Sequence, residues 1–462
     1  MSVSSEPIAP LAGMAPPPAK ALSFFAQMRA VNGNAYETLP QAVYEQPIYQ
    51  PRSMFGRMLV VSDPDGVRRV LLDNVANYPK SDMEDRFFSA MFGQGLLSAE
   101  PATWRTHRRV MAPSFDPRSV ASYAPAMAQT TEAFAAHWDA LANNPDIDIA
   151  DEMKALALQI ICKTMFSSDS EELVGLTGDA LGFTQAALNF GLFDVLPIIG
   201  PMRMKAKEAL IHGEFSAMDA AIYRMIAARE KNLASAPNDL LTRLIAAKDP
   251  EGGAGLNASE VRDEVITIFM AGHETTAVTM TWVWYLLSQH PAQEARLHAE
   301  LDDVLGGRAP TAEDLPNLPY TRMVIEEAMR IYPPAPGVSA RVARADDEIC
   351  GVKVRAGTRV LIAPWVLHRH HRLWDNPMRF DPERFSAERS AGRPRFAYLP
   401  FGGGPRVCIG AMLAMTEATL ILAGLAQRYR LRLKAGQDIK LRARITLAPV
   451  GGMKMTLERR AA

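Results

Sequence analysis

The 462-residue sequence predicts a mainly α fold with small β-sheets. Three observations carry that expectation. Stretches rich in Ala, Leu, Met, Glu and Lys, and poor in breakers, run over about 117–141, 150–166, 203–232 and 292–305. One apolar helical pattern spans 257–290 between a start and a stop signal. β-Branched runs bounded by turn residues are short, near 57–62, 338–343, 358–363 and 443–456. No internal repeat or long low-complexity linker breaks the pattern.

At the N-terminus, MSVSSEPIAPLAGMAPPPAK lacks the basic start and apolar centre of a secretory signal. Its prolines predict a loose, extended lead-in. The chain divides into a leader and N-terminal segment, 1–50, and a single domain, 51–462. At 48% hydrophobic and 22% charged it has ordinary globular composition, and a net charge of -1 gives no basis for wholesale nucleic-acid binding. Cys162, Cys350 and Cys408 are too few and too scattered for a disulfide framework, which fits a reducing cytoplasm.

TWRTHRRVMAPSF, residues 103–115, places Trp104 and Arg108 four residues apart on a helix. In the 257–290 helix, Asn257 and Glu260 form a capping pair and Pro291 supplies the stop. Such a helix is roughly 50 Å long. Residues 265–287 are long enough to cross a membrane, but His273 and Glu274 at their centre would be costly in lipid. A buried core helix is expected, with no membrane anchor. Its centre, Gly272-His273-Glu274-Thr275-Thr276, has two readings. Thr275 bonds back to the Ala271 carbonyl while Glu274 joins a structural ion pair or faces a solvated notch; or the two deliver protons into a gap beside the helix.

Further on, EEAMRIYPPAP places Glu327 and Arg330 on one helical face, where the prolines end the helix. Alone, such a pair is usually a surface contact of little value. FDPERF, 380–385, sets Arg384 in an irregular proline-containing stretch. FGGGPRVCIG, 401–410, places Cys408 after a glycine-rich turn and an arginine, where it is either a small buried hydrophobe or a ligand. It is not a phosphate loop, since Gly-Lys-Ser/Thr is missing, and no histidine pattern beside it supports a cysteine hydrolase. HRHHR, 368–372, is read as a supporting segment rather than a metal site.

In this order and spacing the motifs resemble the cytochrome P-450 family of haem-thiolate monooxygenases, from about residue 57 to the C-terminus. The resemblance implies haem b held between the long central helix and the helix after the cysteine loop. Cys408 is then the axial iron ligand, as a thiolate whose electron donation favours O–O cleavage. Phe401 covers the sulfur, and Gly410 with the loop glycines lets the backbone approach closely. Arg406, Trp104, Arg108 and Arg341 hold the haem propionates. Glu327, Arg330 and Arg384 form a structural triad, and Glu274 and Thr275 deliver protons.

The implied activity is O2-dependent hydroxylation of an apolar small molecule: a fatty acid, terpenoid, steroid or aromatic. Pocket walls are expected from Phe87, Phe88, Met91, Phe92 and Leu96, from Phe190, Leu192 and Phe193, and from Ala271, Thr275 and Val338. No reductase domain follows Cys408, so electrons are expected from NAD(P)H through a ferredoxin or flavodoxin with its reductase. Arg105, Arg108 and Arg109, with Arg389, Arg393 and Arg395, are the expected docking patch, and the protein is expected to be monomeric. A peroxide-driven or isomerising haem-thiolate enzyme ranks lower because the acid–alcohol pair is intact. A non-catalytic haem sensor ranks lower because no output domain is present.

Overall fold

A computed structural model describes residues 11–23, 26, 33–51, 56–141, 145–167 and 199–460. The long helices are α1 (Asp82–Phe92), α2 (Pro101–Met111), α3 (Pro117–Ala140), α4 (Ile149–Phe166), α5 (Ile199–Lys231), α6 (Ala258–Gln289), α7 (Pro291–Leu305), α8 (Pro319–Ile331) and α9 (Ala411–Ala426). The fold is mainly α, with small sheets, as the sequence predicts.

α6 begins where the capping pair places it. Asn257 Oδ1 accepts from the N–H groups of Ser259 (3.0 Å) and Glu260 (3.1 Å), and Glu260 accepts from the Asn257 N–H (2.8 Å). It stops at His290 because Pro291 opens α7. α4, α5, α8 and α9 all pack on it, burying Val265, Phe269, Trp282 and Leu286 in the main core. Among the described residues, no helix is long and apolar enough to cross a membrane.

The strands form two three- or four-stranded sheets and two hairpins. β1 (Ile48–Tyr49), β2 (Met58–Val61), β7 (Arg359–Leu361) and β4 (Arg341–Val342) lie side by side, with only β2 and β7 parallel. Beneath them sits a second core that includes Leu59, Val61, Leu71 and Val360. β3 (Asp146–Asp148), β11 (Lys454–Arg459) and β8 (Tyr429–Leu433) form the other sheet. β5 (Asp347–Ile349) pairs with β6 (Val352–Val354), and β9 (Leu441–Ala443) with β10 (Leu447–Pro449). The single run expected at 443–456 is thus several strands, because Gly451 and Gly452 turn the chain at positive φ.

The lead-in differs from its expectation at Leu11–Met14. Leu11 is buried, the Ala12 N–H donates to Tyr285 Oη (2.8 Å), and Tyr332 Oη donates to the Ala12 carbonyl (3.0 Å). Two tyrosine hydroxyls in an apolar core need polar partners, and the chain's own start supplies them. β1 likewise ties residues before 51 into the first sheet.

Candidate active site

Cys408 closes its loop by donating its N–H to the Phe401 carbonyl (3.0 Å). Gly404 is needed there on two counts: its φ is +72°, and a Cβ would overlap the Leu71 carbonyl oxygen. α9 follows at Ala411 with Gly410 as its N-cap, so its positive end and the Gly410 N–H lie beside the sulfur. Cys408 keeps an open face, yet burial pushes its thiol up, against the Gly410 N–H and the Arg108 charge. Both facts hold if the sulfur lines an internal concavity rather than the outer surface.

Three arginines gather around this loop. Arg108, on α2, donates to the Val407 carbonyl (2.9 Å), and Arg406 donates to the Ala99 carbonyl (2.9 Å) while lying 4.8 Å over the Trp104 ring. Arg341 comes from β4 and is buried. Burial pulls all three guanidinium groups down, and Arg341 repels Arg406, which falls to about 10. Among the described residues none has a salt-bridged carboxylate, and Arg341 Nε and Arg406 Nη1 are buried without a partner. Clustered, desolvated cations with spare donors are arranged for an anion.

The centre of α6 opens on the same interior. Ala271 is exposed although the helix is buried on both sides of this turn. The Thr275 hydroxyl donates to the Ala271 carbonyl (2.7 Å), the back-bond foreseen in one reading of the sequence. The structural ion pair of that reading is not formed among the described residues. Instead Glu274 Oε1 accepts from the Thr446 hydroxyl (2.8 Å), and burial raises the acid against that bond and the charges of Lys154 and Arg442. Thr275, Thr276 and Thr279 share a cavity of about 20 Å³ with Phe401 and Met415, so α6 meets the cysteine loop and α9 there.

Glu327 and Arg330 are fully buried rather than on the surface. Arg330 bonds both Glu327 oxygens (2.6 and 2.8 Å) and the carbonyls of His368, Pro377 and Arg379. Arg384 donates to Glu327 Oε1 (3.3 Å). The structure therefore brings the three together. Of the expected pocket walls, Phe87 and Phe92 are buried in α1, Phe88 is half-buried against both, and Val338 packs on the second core. Phe190, Leu192 and Phe193 lie outside the described residues. No cluster of metal-ligating side chains occurs among the described residues, and His368 instead accepts from the Leu399 N–H (2.8 Å) just ahead of the loop.

Sequence reasoning passed over Thr446, His107, Glu264 and Glu417. His107 Nδ1 and Glu264 Oε1 are 2.7 Å apart, and Glu264 also accepts from the Leu96 N–H, pinning α2 to α6. Glu264 carries the same sign that singles out Glu274, an acid within an apolar helical run. Thr446, between Ile445 and Leu447, carries no sign at all.

A family profile for cytochrome P-450 matches residues 16–453. The chain belongs to the cytochrome P-450 family. Cyclooctatin synthase of Streptomyces melanosporofaciens is 37% identical over 404 residues, covering 86% of this chain and 85% of its own. Pentalenene oxygenase of Streptomyces avermitilis is 34% identical over 355 residues, covering 75% and 76%. The crystal structure of the cytochrome P-450DA haem domain superposes with a TM-score of 0.80 at 26% identity, over 90% of each chain.

A cytochrome P-450 of this kind is an oxidoreductase of the monooxygenase type, and the family implies a haem cofactor. The residues present fit that group. A free thiol at the positive end of α9, beside arginines that among the described residues keep spare buried donors, suits an iron-bearing dianion.

Proposed function

We propose that the chain hydroxylates an apolar small molecule of terpenoid type, using O2 and electrons from a separate redox partner. When bound, haem supplies O2 activation and the insertion of one oxygen atom into a C–H bond. Cys408 would hold it from below, with Phe401 and Gly410 flanking the sulfur. Arg108, Arg341 and Arg406 would take the propionates, with Trp104 stacked under Arg406. Glu274 and Thr275 would carry protons to the side facing α6. Glu327, Arg330 and Arg384 would hold the fold of the cysteine-loop region and touch no substrate.

The observation that supports the reading most is the Cys408 loop ringed by arginines that, among the described residues, have no salt-bridged carboxylate. The terpenoid choice rests on relatives whose names specify cyclooctat-9-en-7-ol and pentalenene. The test has two stages. Reduced protein with carbon monoxide should show the red-shifted Soret band of thiolate ligation, and retention of that band in Cys408→His would remove the ligand assignment. Spectral titration of ferric protein with a fatty acid, a terpenoid, a steroid and an aromatic then tests the substrate. Binding of the fatty acid alone would remove the terpenoid choice.

A further inference from the structure

We propose that Thr446 is the positioning residue for Glu274: its hydroxyl holds the carboxyl in place, so the seat of the β9–β10 hairpin governs how that acid hands over its proton. The inference rests on the reading of Glu274 as the proton-delivering acid. Among the described residues, Thr446 provides the one hydrogen bond to this carboxyl (2.8 Å), across 172 positions of sequence. The hydroxyl is itself buried and cannot be replaced there by bulk water.

The hairpin that presents it is tied down at two points and braced by its own pairing. The Leu447 N–H donates to the Pro334 carbonyl (3.0 Å), just beyond α8. Trp282, two turns along α6 from Glu274, donates its indole N–H to the Leu447 carbonyl (2.8 Å). The strands themselves pair Ala443 with Leu447. The hairpin is therefore anchored to the helix that carries the acid, and the hydroxyl keeps a fixed distance from it.

Other groups around Glu274 do not duplicate this contact. Lys154, from α4, and Arg442, from β9, act on it through charge alone. His273, its neighbour on α6, faces the Phe269 carbonyl and ring. A donated hydroxyl favours the carboxylate over the acid, and it opposes the desolvation that raises this group. Removing the hydroxyl leaves desolvation less opposed, so the proton is held more tightly and released later as pH rises.

The experiment compares Thr446→Val and Thr446→Ser in the haem-loaded protein. Infrared pH-difference spectra give the carbonyl band of protonated Glu274, identified by its loss in Glu274→Gln. Thr446→Val should displace the band and move its titration midpoint upward, while Thr446→Ser should restore both. The share of electrons lost to peroxide should rise severalfold in Thr446→Val, with substrate spectral binding retained. An unmoved band and midpoint in Thr446→Val would overturn the proposal, as would a Thr446→Ser variant behaving like valine. A displaced band with an unchanged peroxide share would instead overturn the delivery reading of Glu274, leaving the hold of Thr446 on it intact.

Discussion

Glu327 and Glu417 are both buried carboxyl groups, on neighbouring helices α8 and α9, yet their surroundings are opposite. Glu327 accepts from Arg330 twice, from Arg384, and from the Asp381 N–H. Among the described residues Glu417 has a single long contact, from the Thr276 hydroxyl (3.4 Å), and its Oε1 has no partner. Burial pushes Glu417 up to about 8 against that one contact, so it is a neutral acid at pH 7. A buried charge persists where the fold supplies donors and is discharged where it does not. The cations divide the same way. Arg330 finds an acceptor for each of its N–H donors, whereas among the described residues Arg341 and Arg406 keep donors unspent.

The saturated side of this contrast should give the largest effect. Glu327→Ala leaves Arg330 and Arg384 buried without their carboxylate, a loss of about 3–5 kcal/mol. Urea unfolding should show the loss, and Arg330→Lys should suffer similarly because one ammonium cannot reach acceptors spread around a planar fork. An unchanged urea midpoint in both variants would dissolve the contrast.

Glu417 should make stability depend on pH. Its folded value is raised above the unfolded carboxyl range of about 4.3. Between these limits the native state binds a proton that the unfolded chain has released, so stability falls as pH rises toward about 8 and flattens beyond. Glu417→Gln removes that slope. Relative to wild type the variant should gain about 1–3 kcal/mol between pH 5 and 8. Equal pH dependence in the two proteins would mean that Glu417 is ionised inside the core.

These contrasts also show what a sequence can convey. The capping pair at Asn257, the Pro291 stop and the Cys408 loop are local patterns, and each lies where its residues place it. The Glu327–Arg330 spacing is equally local, but its burial is not, because the acceptors come from residues 368–379. Thr446 and Glu417 act through contacts 172 and 141 positions away, for which no short motif exists. β8 is a different kind of omission. Its YRLRL alternation buries Tyr429 and Leu431 and was readable as a strand, but it follows directly on the helical run of α9.

A smaller effect tests the unspent arginines. Arg406→Met removes a desolvated cation that also feels Arg341, so the haem-free protein should be no less stable than wild type. The haem-loaded protein should lose a charged hydrogen bond worth about 1.5–3 kcal/mol and release haem faster to an acceptor globin. Opposite signs in the two forms identify a residue kept for a ligand. Destabilisation of both by the same amount would make Arg406 a structural residue like Arg330.

The smallest effect concerns the surface, where the same division separates the arginines of the expected docking patch. Arg109 is spent on Asp249 and Glu251, Arg389 on Asp381, and Arg393 on the Arg384 carbonyl and the Trp374 face. Arg105 and Arg395 remain exposed without a salt-bridged carboxylate among the described residues. Arg395 borders a groove of about 530 Å³ on the outer side of the cysteine loop, shared with Arg322, Val407 and Met412. Val407 and Met412 are exposed apolar side chains there, so the groove offers contact area as well as charge. An acidic redox partner approaching this groove would be steered by Arg105 and Arg395 more than by Arg109 and Arg389, whose charges are already offset by their own carboxylates. Charge reversal at Arg105 and Arg395 should slow first-electron transfer from an acidic ferredoxin, most strongly at low salt. Neutralising Arg389 and Asp381 together, as Arg389→Gln with Asp381→Asn, should change the rate little, because their charges already offset each other. At physiological salt, with screening over about 8 Å, the difference between the two sets should shrink. Equal slowing by both sets at every salt concentration would show that the uncommitted charge of Arg105 and Arg395 does not steer encounter.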